Sequence, residues 1–323
     1  MNIGNIPKKI ARLDSSREAI VDVSSGRRQT FGELDNRVSK LSNGFVNEFR
    51  LNKGDRVAIL SKNCAQFLEV VYATMRMGFI AQPLNWRLGI SELEKIVEDG
   101  APSVIVVGKD FKEIGEELSK KIAVPNWLWI DSESEDDYEK FLNRFSQEEP
   151  VLLNPVEKDD PALILYTGGT TGESKGALHS HHSLYMGMLN QTVGERIVPT
   201  DVYMLTGQMF HIPMALAINY HAHGCPLVLI NFEAKLAVET IEKERVSSFL
   251  GITTMLNWMM AVENFDSYDL SSLRNIQYGG GPMGYSVISA AHKAFPCTII
   301  QGYGQTEGTT MTFLSQEDHE FAL

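Results

Sequence analysis

The sequence predicts an α/β protein built from two helix-covered, mainly parallel β-sheet layers. Three observations predict it. Short β-branched or apolar runs recur along the chain, helical patterns lie between them, and a loop of glycines and hydroxyls stands directly after one of the runs.

The elements follow in order. Thr30 and Glu33 have the spacing of a capping box, which opens a helix running to Phe49. Residues 57–60 read as a buried strand and 65–77 as the helix after it. A helix at 91–99 precedes a strand at 104–107. Residues 131–150, rich in Glu, Asp and Ser, break the pattern and read as a solvated surface excursion between strands. A strand at 163–166 leads into the glycine-rich loop, and a helical run at 181–193 follows it. Strands at 227–230, 249–252 and 298–300 then alternate with helices at 236–245 and 285–294. Strands that alternate with helices pair in parallel, with both sheet faces covered. Ligands of such sheets bind at the carboxyl ends of strands. The loop after Tyr166 and the segment from Gly302 to Glu307 both fall there.

A length of 323 residues corresponds to about two domains and is enough to bury a large core. Hydrophobic residues at 43% and charged residues at 22% are ordinary for a globular chain. Asp and Glu outnumber Lys and Arg by 41 to 29, a net charge of -12, so the chain has no general basic field for nucleic acid. Cys64, Cys225 and Cys297 are far apart and odd in number. They fit neither a disulfide framework nor a zinc ribbon, and a reducing cytoplasm is the expected compartment. Residues 1–13 lack an apolar signal core, and no run approaches the length of a membrane span.

The chemistry concentrates in Leu165-Tyr166-Thr167-Gly168-Gly169-Thr170-Thr171-Gly172-Glu173-Ser174-Lys175-Gly176. Glycines leave backbone N–H groups uncovered, hydroxyls donate to anionic oxygens, and a lysine adds a mobile positive charge. Such a loop after a strand suits a polyphosphate. The P-loop pattern does not fit it: Ser174 precedes Lys175 where Gly is required, and Gly176 follows where Ser or Thr should hold magnesium.

Tyr-Thr-Gly-Gly-Thr-Thr-Gly-x-x-Lys-Gly resembles the phosphate loop of the adenylate-forming (AMP-binding) enzymes, in particular the acyl-CoA synthetase branch. Gln301-Gly302-Tyr303-Gly304-Gln305-Thr306-Glu307-Gly308 resembles the family's Tyr-Gly-x-Thr-Glu segment. Met209-Phe210-His211 resembles its Phe-His element, and Tyr278-Gly279-Gly280-Gly281-Pro282-Met283 its glycine-rich turn. Gln82-Pro83-Leu84-Asn85-Trp86-Arg87-Leu88 resembles a stretch common in the acyl-CoA synthetases. These matches run in the family's order from about Thr30 to Gly308.

The resemblance implies ATP-dependent activation of a carboxylic acid to an acyl-adenylate and then to acyl-CoA. ATP, Mg2+ and coenzyme A are the implied cofactors and co-substrates. Thr167, Thr170, Thr171 and Lys175 would take the β- and γ-phosphates, assisted by N–H groups at Gly168, Gly169 and Gly172. Thr306 would meet the α-phosphate and Glu307 the magnesium. Tyr303, flanked by Gly302 and Gly304, would stack on adenine, with Gly280 and Gly281 admitting the purine. His211 would lie beside the substrate carboxylate, and it, Lys175, Thr306 and Glu307 form the implied catalytic set. Pocket walls by the same analogy are Ile212, Met214, Ala215, Gly251, Thr254 and Met255, together with His211. They are mostly apolar, as a fatty or aryl acid requires. No Asp stands nearby to bind an α-amino group.

By the same resemblance residues 56–183 form one sheet layer, and 1–55 with 184–323 form the other. Gly168, Ser174 and Thr253 stand where Ser, Pro and Pro are frequent in the family, which reshapes loops without removing a charge. A ribose-binding Asp, a hinge and a small C-terminal domain with a catalytic lysine should follow the last motif. The expectation is therefore a fragment that lacks that domain and is inactive alone. A non-catalytic nucleotide- or acyl-binding protein is the alternative. A homodimer is a possible assembly. His179, His181 and His182, and His221 and His223, lack zinc-site spacing and read as helix-start and surface residues.

Overall fold

A computed structural model describes residues 1–131, 137–152, 154–167 and 174–322. The chain opens with α1 (Ile6–Leu13), β1 (Glu18–Asp22), β2 (Arg27–Thr30) and α2 (Phe31–Asn47). Next come β3 (Arg56–Leu60), α3 (Ala65–Arg76), β4 (Ile80–Pro83), α4 (Ile90–Gly100), β5 (Val104–Val107), α5 (Lys112–Lys121) and β6 (Asn126–Trp129). Helix α6 (Tyr138–Asn143) precedes β7 (Pro161–Thr167), β8 (Lys175–Ser180) and α7 (His181–Glu195). Then follow β9 (Tyr203–Leu205), α8 (Pro213–Ala222), β10 (Leu227–Leu229), α9 (Ala234–Glu244), β11 (Ser248–Leu250) and α10 (Thr253–Met260). The last elements are β12 (Asn275–Gly279), α11 (Tyr285–Ala294), β13 (Thr298–Gln305), β14 (Thr309–Leu314) and α12 (Gln316–Ala322).

Two sheets result. One has six strands in the order β6-β5-β3-β4-β7-β8, the other eight in the order β14-β13-β12-β11-β9-β10-β1-β2. Pairing is parallel through the middle of each sheet, as the strand–helix alternation requires, while β8 and β14 return antiparallel at the edges.

By packing, the chain forms two compact units. The first holds Met1–Arg17, Gln29–Tyr185 and Met209–His211, and the second holds Glu18–Arg28, Met186–Gln208 and Ile212–Leu323. The strands of residues 56–183 do make one sheet, and β1 joins β10 in the other. Yet α1 and α2 belong to the first unit, so the division does not fall at residue 55. The reason lies in α2, where Arg37 forks onto buried Glu69 of α3 at 2.6 and 2.9 Å. Thr30 caps α2 as the sequence requires: its Oγ1 accepts from the Glu33 N–H at 3.2 Å, and the Glu33 carboxylate accepts from the Thr30 N–H at 2.8 Å.

In the first unit Ala58, Leu60, Ile105 and Val107 pack against Leu93, Ile96 and Val97 of α4 and Leu118 of α5. In the second, Met204, Val228, Phe249, Ile276 and Ile299 line up from neighbouring strands beneath α9, α10 and α11. Burying each such side chain is worth about 1.5–3 kcal/mol, and these rows hold the strand ends in place.

Two sequence expectations are corrected. Within residues 131–150 only part of the described segment is a solvated excursion: Asn143, Arg144 and Ser146 to Glu149 are exposed, but the stretch before them is packed. Asp137 caps α6, accepting from the Glu139 and Lys140 N–H groups at 2.9 and 3.1 Å, and Tyr138, Phe141 and Leu142 are buried. Phe141 stacks on Phe49 with ring centroids 4.7 Å apart. The acidic composition hid three aromatic and aliphatic anchors at helical spacing.

The histidines are the second correction, because His179, His181 and His221 are buried rather than on the surface. The Ile3 N–H donates to His181 Nδ1 at 3.1 Å, and His221 Nε2–H donates to the Ala19 carbonyl at 2.8 Å. Burial pushes both rings down to about 4, so they are neutral structural hydrogen-bonding groups. Among the described residues no helix is long and apolar enough to cross a membrane.

Candidate active site

In the first unit β7 and β8 form a hairpin whose neck is the pair Thr167–Lys175. Thr167 Oγ1 donates to the Lys175 carbonyl at 3.4 Å, and the Lys175 side chain is exposed. Tyr166 is anchored by its O–H donating to Asp99 Oδ2 at 2.6 Å. Burial first, and then this carboxylate, push the Tyr166 phenol up. Gly176 is needed for close packing, since a Cβ there would stand 2.6 Å from Ile164 Cδ1. Gly168, Gly169, Thr170, Thr171 and Gly172 lie outside the described residues. Between this loop and the helix from His181 the structure interposes β8, with Lys175 at its start.

The element carrying His211 also packs in this unit. The Met209 N–H donates to Asn63 Oδ1 at 3.0 Å, and Phe210 meets Trp86 edge-on with centroids 6.0 Å apart at 88°. His211 lies 4.6 Å from the Phe210 ring. Its imidazole is pushed below the ordinary histidine value, by burial first and then by the positive charge of Arg87. The neutral ring is therefore favoured, able to donate one hydrogen bond and accept another.

In the second unit β12, β13 and β14 present the Tyr303–Glu307 segment at a hairpin. Gly279 opposes Gly302 across the parallel pair, and the β13–β14 register shifts between Tyr303 and Gly304. Three glycines permit this crossing. A Cβ at Gly279 would overlap the Gly302 carbonyl, one at Gly302 the Gln277 amide, and one at Gly304 the Thr309 carbonyl. Tyr303 is 60% exposed, so its ring is free to stack on a ligand rather than serving as a core aromatic. Thr306 is half-buried and Glu307 exposed. Gly280 has φ +74, a left-handed turn open to space, and around Gly281 nothing lies within 4 Å of a built Cβ. Both suit the approach of a flat ring. Thr253 Oγ1 donates to the Pro282 carbonyl at 3.1 Å, tying the start of α10 to this turn.

The proposed pocket walls fall on two helix starts. Ile212 caps α8, with Met214 and Ala215 in its first turn; Gly251 follows β11, and Thr254 and Met255 lie in the first turn of α10. Met214 is fully enclosed in the core, whereas Thr254 is exposed. Gly251 also has a packing reason, since its Cβ would stand 2.6 Å from Leu256 Cδ2.

Sequence reasoning missed Thr309, Gly187, Gln277 and His319. Thr309 is buried with φ 54, and Gly187 of α7 lets that helix pass against its hydroxyl. Tyr278 O–H and His319 Nε2 are hydrogen-bonded at 2.8 Å, fixing the strand before the glycine turn. A positive φ at a non-glycine residue leaves no mark in sequence, so only geometry exposes the first.

A parallel-sheet pair with an open Tyr-Gly-x-Thr-Glu hairpin is the architecture of the adenylate-forming enzymes' large domain. The chain belongs to the AMP-binding enzyme family, whose model matches residues 8–322. It is similar to feruloyl-CoA synthase of an Amycolatopsis species, 29% identical over 320 residues, covering 98% of this chain and 62% of the relative. It is similar also to the long-chain-fatty-acid–CoA ligase FadD13 of Mycobacterium tuberculosis, 27% identical over 312 residues, covering 95% and 60%. Among solved structures, the inhibitor-bound N-terminal domain of FACL13 from Mycobacterium tuberculosis superposes with a TM-score of 0.91 at 26% identity, covering 99% of this chain and 80% of that one. The chain thus spans about three fifths of the length of these two curated relatives.

Proposed function

We propose that the full-length protein activates a carboxylic acid with ATP, forming an acyl-adenylate and then an acyl-CoA. The observation that carries the reading is the Tyr303–Glu307 hairpin. Within five residues it offers an exposed ring for a base, a hydroxyl for a phosphate and a carboxylate for a cation, on a turn fixed by glycines and a buried Thr309.

In the first step a carboxylate oxygen attacks the α-phosphorus and the bond to the pyrophosphate breaks. Charge spreads over the phosphate oxygens, so the protein's work is positioning and electrostatic stabilisation. Lys175 offers a point charge to the leaving phosphates, and Thr167 a hydroxyl beside it. Thr306 would donate to an α-phosphate oxygen. Tyr303 would hold adenine by its face, with Gly280 and Gly281 leaving room on the turn.

Glu307 would hold Mg2+. A single exposed carboxylate suits an ion that keeps its waters and shares ligands with substrate phosphates. Bound there, the ion would neutralise phosphate charge.

His211, held neutral, would hydrogen-bond the acid's carboxyl group without fixing a second full charge. In the second step the thiol of coenzyme A attacks the acyl carbon, losing its proton, and AMP leaves.

The substrate class we assign is a fatty or aryl acid, because Ile212, Ala215 and Met255 offer apolar surface and no carboxylate for an ammonium group. ATP–pyrophosphate exchange over a panel of acids tests this. Medium-chain, long-chain or aryl acids should drive exchange; a free amino acid outperforming all of them would refute the assignment.

A further inference from the structure

Arg87 is a cation set at the ligand end of the first unit's sheet, with no acidic partner among the described residues. It follows β4, whose parallel neighbour β7 carries the glycine-rich loop. Ligands of parallel sheets gather at those carboxyl ends. The turn that bears it is pinned at both ends: Leu84 N–H donates to the Ile59 carbonyl at 2.8 Å, and Leu88 N–H to the Asn85 carbonyl at 3.1 Å. The Arg87 N–H itself donates to Asn85 Oδ1 at 3.0 Å.

The side chain is aimed by aromatics rather than by an acid. Its guanidinium lies 4.6 Å from the Trp86 ring centroid and 5.6 Å from that of Phe210. Trp86 is itself seated on Phe111 at 5.7 Å, so the platform is part of the sheet's packed face. Stacking on a ring face orients a guanidinium while leaving its edge N–H groups available. Among the described residues, no ion pair or hydrogen bond engages the Arg87 guanidinium, although the residue is exposed on a chain of net charge -12. Its field reaches His211, which Phe210 connects to the same platform.

We propose that Arg87 is a binding residue for an oxyanion of the substrates, received on the guanidinium edge beside His211. This deepens the functional reading above and rests on it for the nature of the ligand: the carboxylate of the acid, or a phosphate oxygen of ATP. Either forms a charge-assisted pair with the guanidinium fork. The stack on Trp86 and Phe210 makes the cation's position the specific feature. A lysine there has no planar group to stack and would restore charge without geometry.

Calorimetric titration with inorganic pyrophosphate, and separately with benzoate and decanoate, tests the site without requiring turnover. Proteins for comparison are the wild type, Arg87→Met and Arg87→Lys, each checked for an unchanged thermal midpoint. Loss of one charge-assisted bond should weaken the affected ligand about 10- to 100-fold in Arg87→Met, with partial recovery in Arg87→Lys. Weakening confined to the carboxylates identifies the acid as the source; weakening confined to pyrophosphate identifies the nucleotide. Equal affinities in wild type and Arg87→Met, or no binding of any of the three by wild type, overturn the proposal. Acid-dependent ATP–pyrophosphate exchange by the same wild type is scored separately. Its absence counts against the enzymatic reading, and unaltered KM values for both substrates in an active Arg87→Met count against Arg87.

Discussion

Replacing Glu195 by Gln should remove a pH-dependent weakness from the second unit. Glu195 ends α7 and is 1% exposed. Its Oε2 accepts from the Tyr220 O–H at 2.5 Å. The neighbouring Arg274 is already committed to Asp201 at 2.9 and 2.7 Å and reaches Glu195 only at its backbone carbonyl, 3.0 Å away. Burial therefore dominates and pushes the Glu195 carboxyl from its ordinary 4.5 up to about 7. A group raised in the folded state contributes stability that is complete below its unfolded value and lost as pH rises through its folded value. The loss here spans pH 4.5 to about 7 and amounts to about 3.5 kcal/mol, at roughly 1.4 kcal/mol per pH unit. His181 and His221, held near 4, act oppositely, adding stability as pH rises from 4 to 6.5. Wild type alone would hide the effect, so the difference between wild type and Glu195→Gln is the quantity to follow. Urea unfolding at half-unit steps from pH 4.5 to 8 gives it. The variant should gain on wild type steadily across pH 5–7 and hold a constant lead above that. A difference independent of pH would refute the assignment of the buried charge to Glu195.

Three further outcomes are expected. Gly304→Ala must push against the Thr309 backbone carbonyl, which cannot yield as a side chain can. A loss of about 1–3 kcal/mol in thermal unfolding should accompany a larger loss of nucleotide affinity, measured by titration with ATP. Lys175→Ala, at an exposed position, should leave the melting temperature unchanged while lowering acid-dependent exchange about 10- to 100-fold, the effect of one charge-assisted bond of about 1.5–3 kcal/mol. Tyr303→Ala should weaken ATP without altering far-ultraviolet dichroism, since the ring is 60% exposed and carries no core packing; unaltered affinity would show that it does not stack on the base.

Inner strands such as Val104–Val107 and Leu227–Leu229 were legible because burial on two faces demands continuous apolar runs, whereas the inner strands Ile80–Pro83, Tyr203–Leu205 and Asn275–Gly279, short or interrupted by polar residues, were not. Nor were the edge strands. Lys175–Ser180 has no strong apolar face, and three of its six residues are exposed. It is a strand because β7 needs a partner, a tertiary fact. Helix α6 was masked by its charged neighbours, and the buried histidines by the habit of reading His as polar. The segments proposed to bind ligand were legible as motifs. What supports them, the Tyr278–His319 bond, Gly187 against Thr309 and the aromatic seat of Arg87, depends on residues far apart in sequence that only the fold brings together.

The central claim, that a carboxylate oxygen attacks the α-phosphorus, is tested most directly by isotope transfer. The full-length protein is incubated with ATP, Mg2+, coenzyme A and a fatty or aryl acid carrying 18O in both carboxyl oxygens, and the products are weighed by mass spectrometry. Attack at the α-phosphorus, followed by thiol displacement at the acyl carbon, leaves one labelled oxygen in AMP and one in the thioester. Label appearing in AMP at one atom per turnover is the result the account predicts. AMP without label, or label found in inorganic phosphate, would contradict it.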